Sequence, residues 1–168
     1  MKAAVTSFAV LVVLFAVSSI SAGATPSGSW RVETFGSSGP LIRFDLPNAR
    51  GKTRTVYVVF EYERRCDPLF LYGEFAGSRL GRPTSQSVLK NSSIGVVLNG
   101  YFYTWHAART AYDNGYEAGF GITNDLVSQL LGDVRSLAYV TPTGETIPLP
   151  TTNFRSGFLS ALEFCRSR

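Results

Sequence analysis

His106 is the chain's one histidine. It is also the one side chain whose unperturbed pKa lies near neutrality. A Ser–His–Asp arrangement can use such a group, with Asp113 or Asp125 as the orienting acid. No G-x-S-x-G elbow marks a nucleophile, so a surface or strand-edge histidine explains His106 as well. Paired carboxylates offer acid–base chemistry without histidine. Alternation puts Glu61 and Glu63 on one strand face, with Glu74 on a nearby strand. A solvated strand face accounts for the same pattern. Gly119-Phe120-Gly121 is too short for a phosphate loop and lacks the P-loop lysine.

Arg64, Arg65, Arg79 and Arg82 form the most basic cluster in the chain. Arginine outnumbers lysine by 13 to 3. Guanidinium groups suit phosphate and carboxylate, and in an exported protein these point to a phospholipid or an acidic surface polymer. Ordinary solubilising charge is the alternative, since the formal net charge is only +4. Tyr101, Tyr103 and Trp105 invite a carbohydrate-stacking role, but alternation aligns them with Ile94, Val96 and Leu98 and favours a core. Tyr112 and Tyr116 flank a turn at 113–115 and are better placed for a surface contact. The sequon Asn91-Ser92-Ser93 matters only in a eukaryotic secretory pathway.

The N-terminal segment reads as an export signal. Lys2 supplies the positive charge, 8–17 (FAVLVVLFAV) the apolar run, and Ala22-Gly23-Ala24 the A-x-A cleavage pattern. The run is too short to span a bilayer stably, and no later stretch is long and apolar enough. The folding unit is therefore expected at 25–168, one β-rich domain in the periplasm or outside the cell. Export gives the two cysteines a meaning. A Cys66–Cys165 disulfide is the simplest outcome in an oxidising compartment, with a nucleophilic cysteine as the sharper alternative. Two Cys and one His cannot build a four-ligand zinc site, and neither metal nor cofactor is expected.

The elements that must position these residues are mostly strands. Segments 30–35, 41–46 and 54–63 alternate, the last most clearly, with 36–40 a turn and 47–52 a loop. A corner at 64–68 precedes a strand at 69–75, with Gly73 as a candidate bulge. A basic loop follows at 77–83. Asn99-Gly100 between 92–98 and 101–105 is a hairpin signal that pairs Leu98 with Tyr101 and Val96 with Tyr103. Residues 107–111 extend that strand, and 116–122 returns after the turn at 113–115. Thr123 or Asn124 caps a short helix with Leu126, Val127, Leu130 and Leu131 on one side and Gly132 at its end. A hairpin at 135–149 turns through Pro142-Thr143-Gly144. Asn153 caps a last helix whose apolar side ends in Cys165, with Gly157 a weak point. The fold expected is mainly β, with α+β also compatible. It is an antiparallel β-sandwich or twisted sheet of seven to nine strands, carrying one short internal helix and a C-terminal helix.

Several of these pieces resemble the invasion-associated locus B family of exported bacterial proteins. They are Glu117-Ala118-Gly119-Phe120, the helix from Asp125-Leu126-Val127 to Leu130-Leu131, the hairpin from Ser136 to Leu149, and the segment from Phe154 to Leu162. Trp30 and the strand from Thr55 to Phe60 are similar as well. The resemblance implies a small periplasmic or surface-associated β-rich protein, and it carries over no functional residue.

Together these readings favour an exported, non-enzymatic binding or accessory protein of the bacterial envelope. Its partner would be a protein or an envelope component, with no role for nucleic acid because export removes that partner. One alternative is a periplasmic inhibitor or immunity protein that blocks a hydrolase or toxin with the loop at 77–83 or 112–116. The other is a small hydrolase using His106. Enzymatic activity stays open, and the poverty of catalytic groups weighs against it.

Overall fold

Strand β3 (Lys52–Phe60) shows the alternation that organises the molecule: Val56, Val58 and Phe60 are fully buried, while Tyr57 and Val59 are half-buried. Each large apolar side chain removed from water contributes roughly 1.5–3 kcal/mol, so one face of this strand is committed to a core. The computed structural model describes residues 28–35, 39–77, 81–89, 94–104 and 107–168. The expected export segment, Arg79, the sequon at 91–93, Trp105 and His106 lie outside the described residues.

Eleven strands and two helices are described, more strands than the sequence suggested. Strands β1 (Arg31–Phe35), β2 (Gly39–Ala49), β3, β4 (Pro68–Ala76), β5 (Pro83–Leu89), β8 (Ala107–Tyr112) and β9 (Gly115–Gly121) form one antiparallel sheet in the order β1-β2-β3-β4-β9-β8-β5. Strands β6 (Gly95–Leu98), β7 (Tyr101–Tyr103), β10 (Leu137–Val140) and β11 (Thr146–Leu149) form a second, in the order β11-β10-β6-β7. Helix α1 (Asn124–Leu131) follows β9, and α2 (Phe154–Arg166) closes the chain. None of the described helices is long and apolar enough to cross a membrane.

The small sheet and α2 share the inner face of the large sheet. Tyr139 of β10 stacks against Phe70, Tyr72 and Phe120, with ring centroids 5.7, 5.8 and 6.5 Å away. Its hydroxyl donates to the Ala118 carbonyl at 2.9 Å, so this buried phenol is satisfied. Helix α2 covers the other half: Phe158 meets Phe60 edge-on at 4.9 Å, and Phe154 meets Trp30 at 5.0 Å. Gly157 is buried in this contact, where an added Cβ would stand 3.4 Å from Ile42 Cγ2. That is ordinary van der Waals contact, so alanine would also fit here, and the packing does not by itself explain a residue that weakens helices. The Cys66–Cys165 disulfide pins the end of α2 to the corner before β4.

Several local expectations need correction. Residues 47–52 are not a loop: β2 runs through Pro47, and the chain reverses at Arg50-Gly51, both at positive φ. Pro47 is tolerated because β1 pairs only as far as Arg43 and the β2–β3 register shifts between Leu46 and Ala49. The strand at 54–63 stops at Phe60, and Tyr62–Arg64 turns as a 3-10 helix. Gly73 lies in regular register rather than at a bulge; an added Cβ would come within 2.6 Å of the Phe75 ring. The Asn99-Gly100 hairpin pairs as expected, but Tyr101 is 71% exposed, because β7 is an edge strand that nothing described covers there. Residues 107–111 do not extend β7; they begin β8 in the other sheet. Thr123 caps α1 by accepting from the Leu126 N–H at 3.3 Å. Asn153 makes no such bond to α2; its backbone is left-handed (φ 59°) rather than the extended form usual at an N-cap.

Candidate functional site

The inner face of the large sheet is spoken for, so chemistry is left to the outer face. On β4 the buried residues Phe70 and Tyr72 alternate with Leu69 and Leu71; on β9, Ala118 and Phe120 alternate with Glu117, Gly119 and Gly121. The outer members of β9 are nearly stripped of side chains. With Ala108 on β8 they form a low floor between the ridge of Leu69 and Leu71 and the polar side of Thr110 and Gln86. The result is a cleft of about 810 Å³. That volume is in the range that takes a small organic ligand.

The two glycines differ in why they are there. A Cβ on Gly119 would stand 2.1 Å from the Phe70 carbonyl oxygen, so β4 and β9 require glycine at this position. A Cβ on Gly121 would meet nothing closer than Arg64 Nη2 at 3.8 Å, so its bareness serves the open trough.

Glu117 stands at one end of this floor, half-buried. Two tyrosines converge on its carboxyl. The Tyr112 hydroxyl donates to Oε2 at 2.7 Å, and the Tyr57 hydroxyl, reaching across β4 beside Gly73, donates to Oε1. Phe75 lies over Gly73 and meets Tyr112 edge-on at 5.6 Å, adding a third ring to the same face. Burial pushes the Glu117 carboxyl up to about 7. Its environment contrasts with two other carboxylates. Burial raises Glu74, but Lys52 at 2.8 Å and the Tyr72 hydroxyl outweigh that and hold it below its usual value. Burial also raises Asp45, yet hydrogen bonds from Arg43 and Thr55 and the charges of Arg43 and Arg31 leave it lowered. Among the described residues, Glu117 has no such basic partner.

The far rim of the cleft carries Glu61, Arg64 and Asp67, with Arg64 Nε 3.8 Å from Glu61 Oε2. Arg65 is exposed at the same corner, in a left-handed conformation. Arg82 is not near them. Its backbone pairs with Asp113 at 3.1 Å, at the other end of β4 and β9. About 25 Å of extended strand separates the two ends, so the described arginines of the expected cluster do not converge. The carboxylates also separate: Glu61 is at the rim, Glu63 is exposed in the 3-10 turn, and Glu74 points to the inner face. The strand ends at Phe60, and with it the alternation that would have aligned Glu61 with Glu63.

Tyr112 and Tyr116 fall on opposite faces. Tyr112 joins the cleft through Glu117, while Tyr116 packs inward, under the Arg109 guanidinium at 4.5 Å and beside Tyr72 at 6.0 Å. Cys66 and Cys165 are joined and buried, which closes the reading of either as a nucleophile. No group of three or more His, Cys, Asp or Glu among the described residues could hold a metal ion. Sequence reasoning did not single out Glu117 or Tyr57 as site residues. The available signal was the pattern of β9, where large buried residues alternate with glycine next to one acid. No family model, curated protein or solved structure matches the chain.

Proposed function

We propose that the chain is an exported, non-enzymatic binding protein that holds a small ligand in the cleft on the outer face of its large sheet. The observation that carries this is Glu117: a carboxyl without a basic partner among the described residues, gripped by two tyrosine hydroxyls at one end of an 810 Å³ trough. Export rests on the apolar segment at 8–17 and the A-x-A pattern before residue 25. The described lining residues pair no Thr hydroxyl with a Lys or His base, which favours holding a ligand over activation of a hydroxyl nucleophile.

A second reading has one observation in its favour. A carboxyl near neutrality in a cleft is matched to acid–base work, so a hydrolase using Glu117 is the competing function. Native mass spectrometry of the protein purified from envelope extract tests the first reading. A bound small molecule on the parent chain, absent from a Gly121→Leu variant that fills the trough, is the expected result. An empty parent chain that no member of a metabolite panel stabilises against heat overturns it. Turnover of the bound molecule, lost in Glu117→Gln, decides for the hydrolase.

A further inference from the structure

A carboxylate has about four lone-pair sites, and a tyrosine hydroxyl donating to each oxygen of Glu117 fills only two of them. The remaining sites have no donor from Lys or Arg among the described residues, unlike those of Asp45 and Glu74. Desolvating an acid without a countercharge is costly, and the missing charge is the natural thing for a ligand to bring. The tyrosines beside Glu117 point the same way. Tyr57 and Tyr112 meet the acid through their hydroxyls, whose free lone pairs can also accept from a cationic head. At the far rim two acids, Glu61 and Asp67, stand against one base, Arg64, which already faces Glu61. Glu117 is therefore the end of the cleft that favours a cation, while the far rim holds charges of both signs.

The floor sets the ligand's shape. From Glu117 to Gly121 the strand runs about 13 Å. Gly119, Gly121 and Ala108 leave room above it for a narrow body, with Leu69 and Leu71 as an apolar wall.

We infer that the cleft takes an elongated organic cation, its ammonium or guanidinium head seated on Glu117 and its aliphatic or flat body lying along the glycine floor. This rests on the reading of the cleft as a ligand site. The groups facing Glu117 are Tyr57 from β3, Tyr112 and Thr110 from β8 and Gln86 from β5, with Glu61, Arg64 and Asp67 at the rim. A proton on Glu117 competes with the cation, so affinity rises with pH through the neutral range.

The test is titration calorimetry with three probes of one shape and different charge: hexylammonium, 1-hexanol and hexanoate. At about pH 8.5 hexylammonium binds at least roughly tenfold tighter than hexanol, and hexanoate binds weakest. Hexylammonium affinity falls by more than about tenfold on going to about pH 5.5, while hexanol affinity does not change. Glu117→Gln erases the preference for hexylammonium over hexanol and the pH dependence of hexylammonium binding. If hexanol or hexanoate binds as well as hexylammonium, and Gly121→Leu weakens them all, the cation assignment falls and the ligand site survives. If none of the three binds, both fall.

Discussion

Tyr112 and Glu117 stand on the two strands of one hairpin, and the Tyr112 hydroxyl donates to Glu117 Oε2 at 2.7 Å. The hydrogen bond does not offset the burial of the acid, whose carboxyl is raised from 4.5 to about 7. Between those values the folded chain holds a proton that the unfolded chain has released. This contribution to stability is complete below about pH 4.5 and is lost as pH rises through about 7. Glu117→Gln keeps the shape and can still pair with both hydroxyls, but it cannot ionise. Urea unfolding at about pH 8.5 is expected to show the variant more stable than the parent by about 1–3 kcal/mol, with the gap closing near pH 4.5. Parallel pH profiles would mean that Glu117 ionises as freely as in water.

Glu74 and Asp45 carry the opposite sign. Both carboxyls are lowered in the folded chain, so their contribution is present above the unfolded pKa and is lost as pH falls through the folded one. Lys52→Met removes the ammonium 2.8 Å from Glu74 Oε1. The pair is partly exposed, so the loss at neutral pH is expected to be about 0.5–1 kcal/mol, shrinking as Glu74 is protonated. Denaturation midpoints at neutral and acid pH measure it.

Local chemistry is what sequence reasoning can see, and here it located the elements whose signals are local. The Asn99-Gly100 hairpin, the turn at 113–115, the Thr123 cap and the apolar side of α2 all follow from residues within a few positions of one another. Strand β5 escaped because it is an exposed edge, PTSQSVL, with no alternation to read. The crossing from β7 to β8 escaped because alternation does not say which sheet a strand joins. The site escaped for the same reason in stronger form. Tyr57 and Glu117 are 60 residues apart and meet only through the β3–β4–β9 register. The Cys66–Cys165 bridge spans 99 residues and was still legible, because two cysteines allow one intramolecular pairing.

That bridge holds α2 against the corner before β4. In the chain-entropy account a closed loop of about 100 residues contributes about 4–5 kcal/mol. The Cys66→Ala, Cys165→Ala double variant is expected to lose about 2–5 kcal/mol in denaturant unfolding. The intact parent should gain the mass of two hydrogen atoms on reduction. Alkylation of both thiols without reductant would contradict the bridge.

Tyr139 tests whether the two sheets depend on one polar contact. Its hydroxyl is buried and donates to the Ala118 carbonyl at 2.9 Å, while its ring touches Phe70, Tyr72 and Phe120. Tyr139→Phe keeps the rings and removes one hydrogen bond to a carbonyl of the doubly paired strand β9, so a loss of about 0.5–1.5 kcal/mol is expected. Tyr139→Ala also empties the space between the sheets and should cost about 3–5 kcal/mol. Equal losses for the two variants would place the whole contribution in the hydroxyl.

Gly119 and Gly121 lie two residues apart on the floor of the cleft, yet substitution should separate them. Alanine at 119 drives a methyl to 2.1 Å from the Phe70 carbonyl oxygen, and neither paired backbone can yield without breaking ladder bonds. Overpacking of this kind costs about 1–3 kcal/mol. Alanine at 121 meets only the far end of Arg64 at 3.8 Å and Leu69 Cδ2 at 4.0 Å, both ordinary contacts. Its stability should change by less than about 0.5 kcal/mol. Because only the second methyl projects into free volume, Gly121→Ala should weaken a cleft ligand in a chain that unfolds like the parent. Thermal unfolding of both variants, with and without hexylammonium, measures the two effects separately. A Gly121→Ala chain that is as unstable as Gly119→Ala would mean that this part of the floor is packed rather than open.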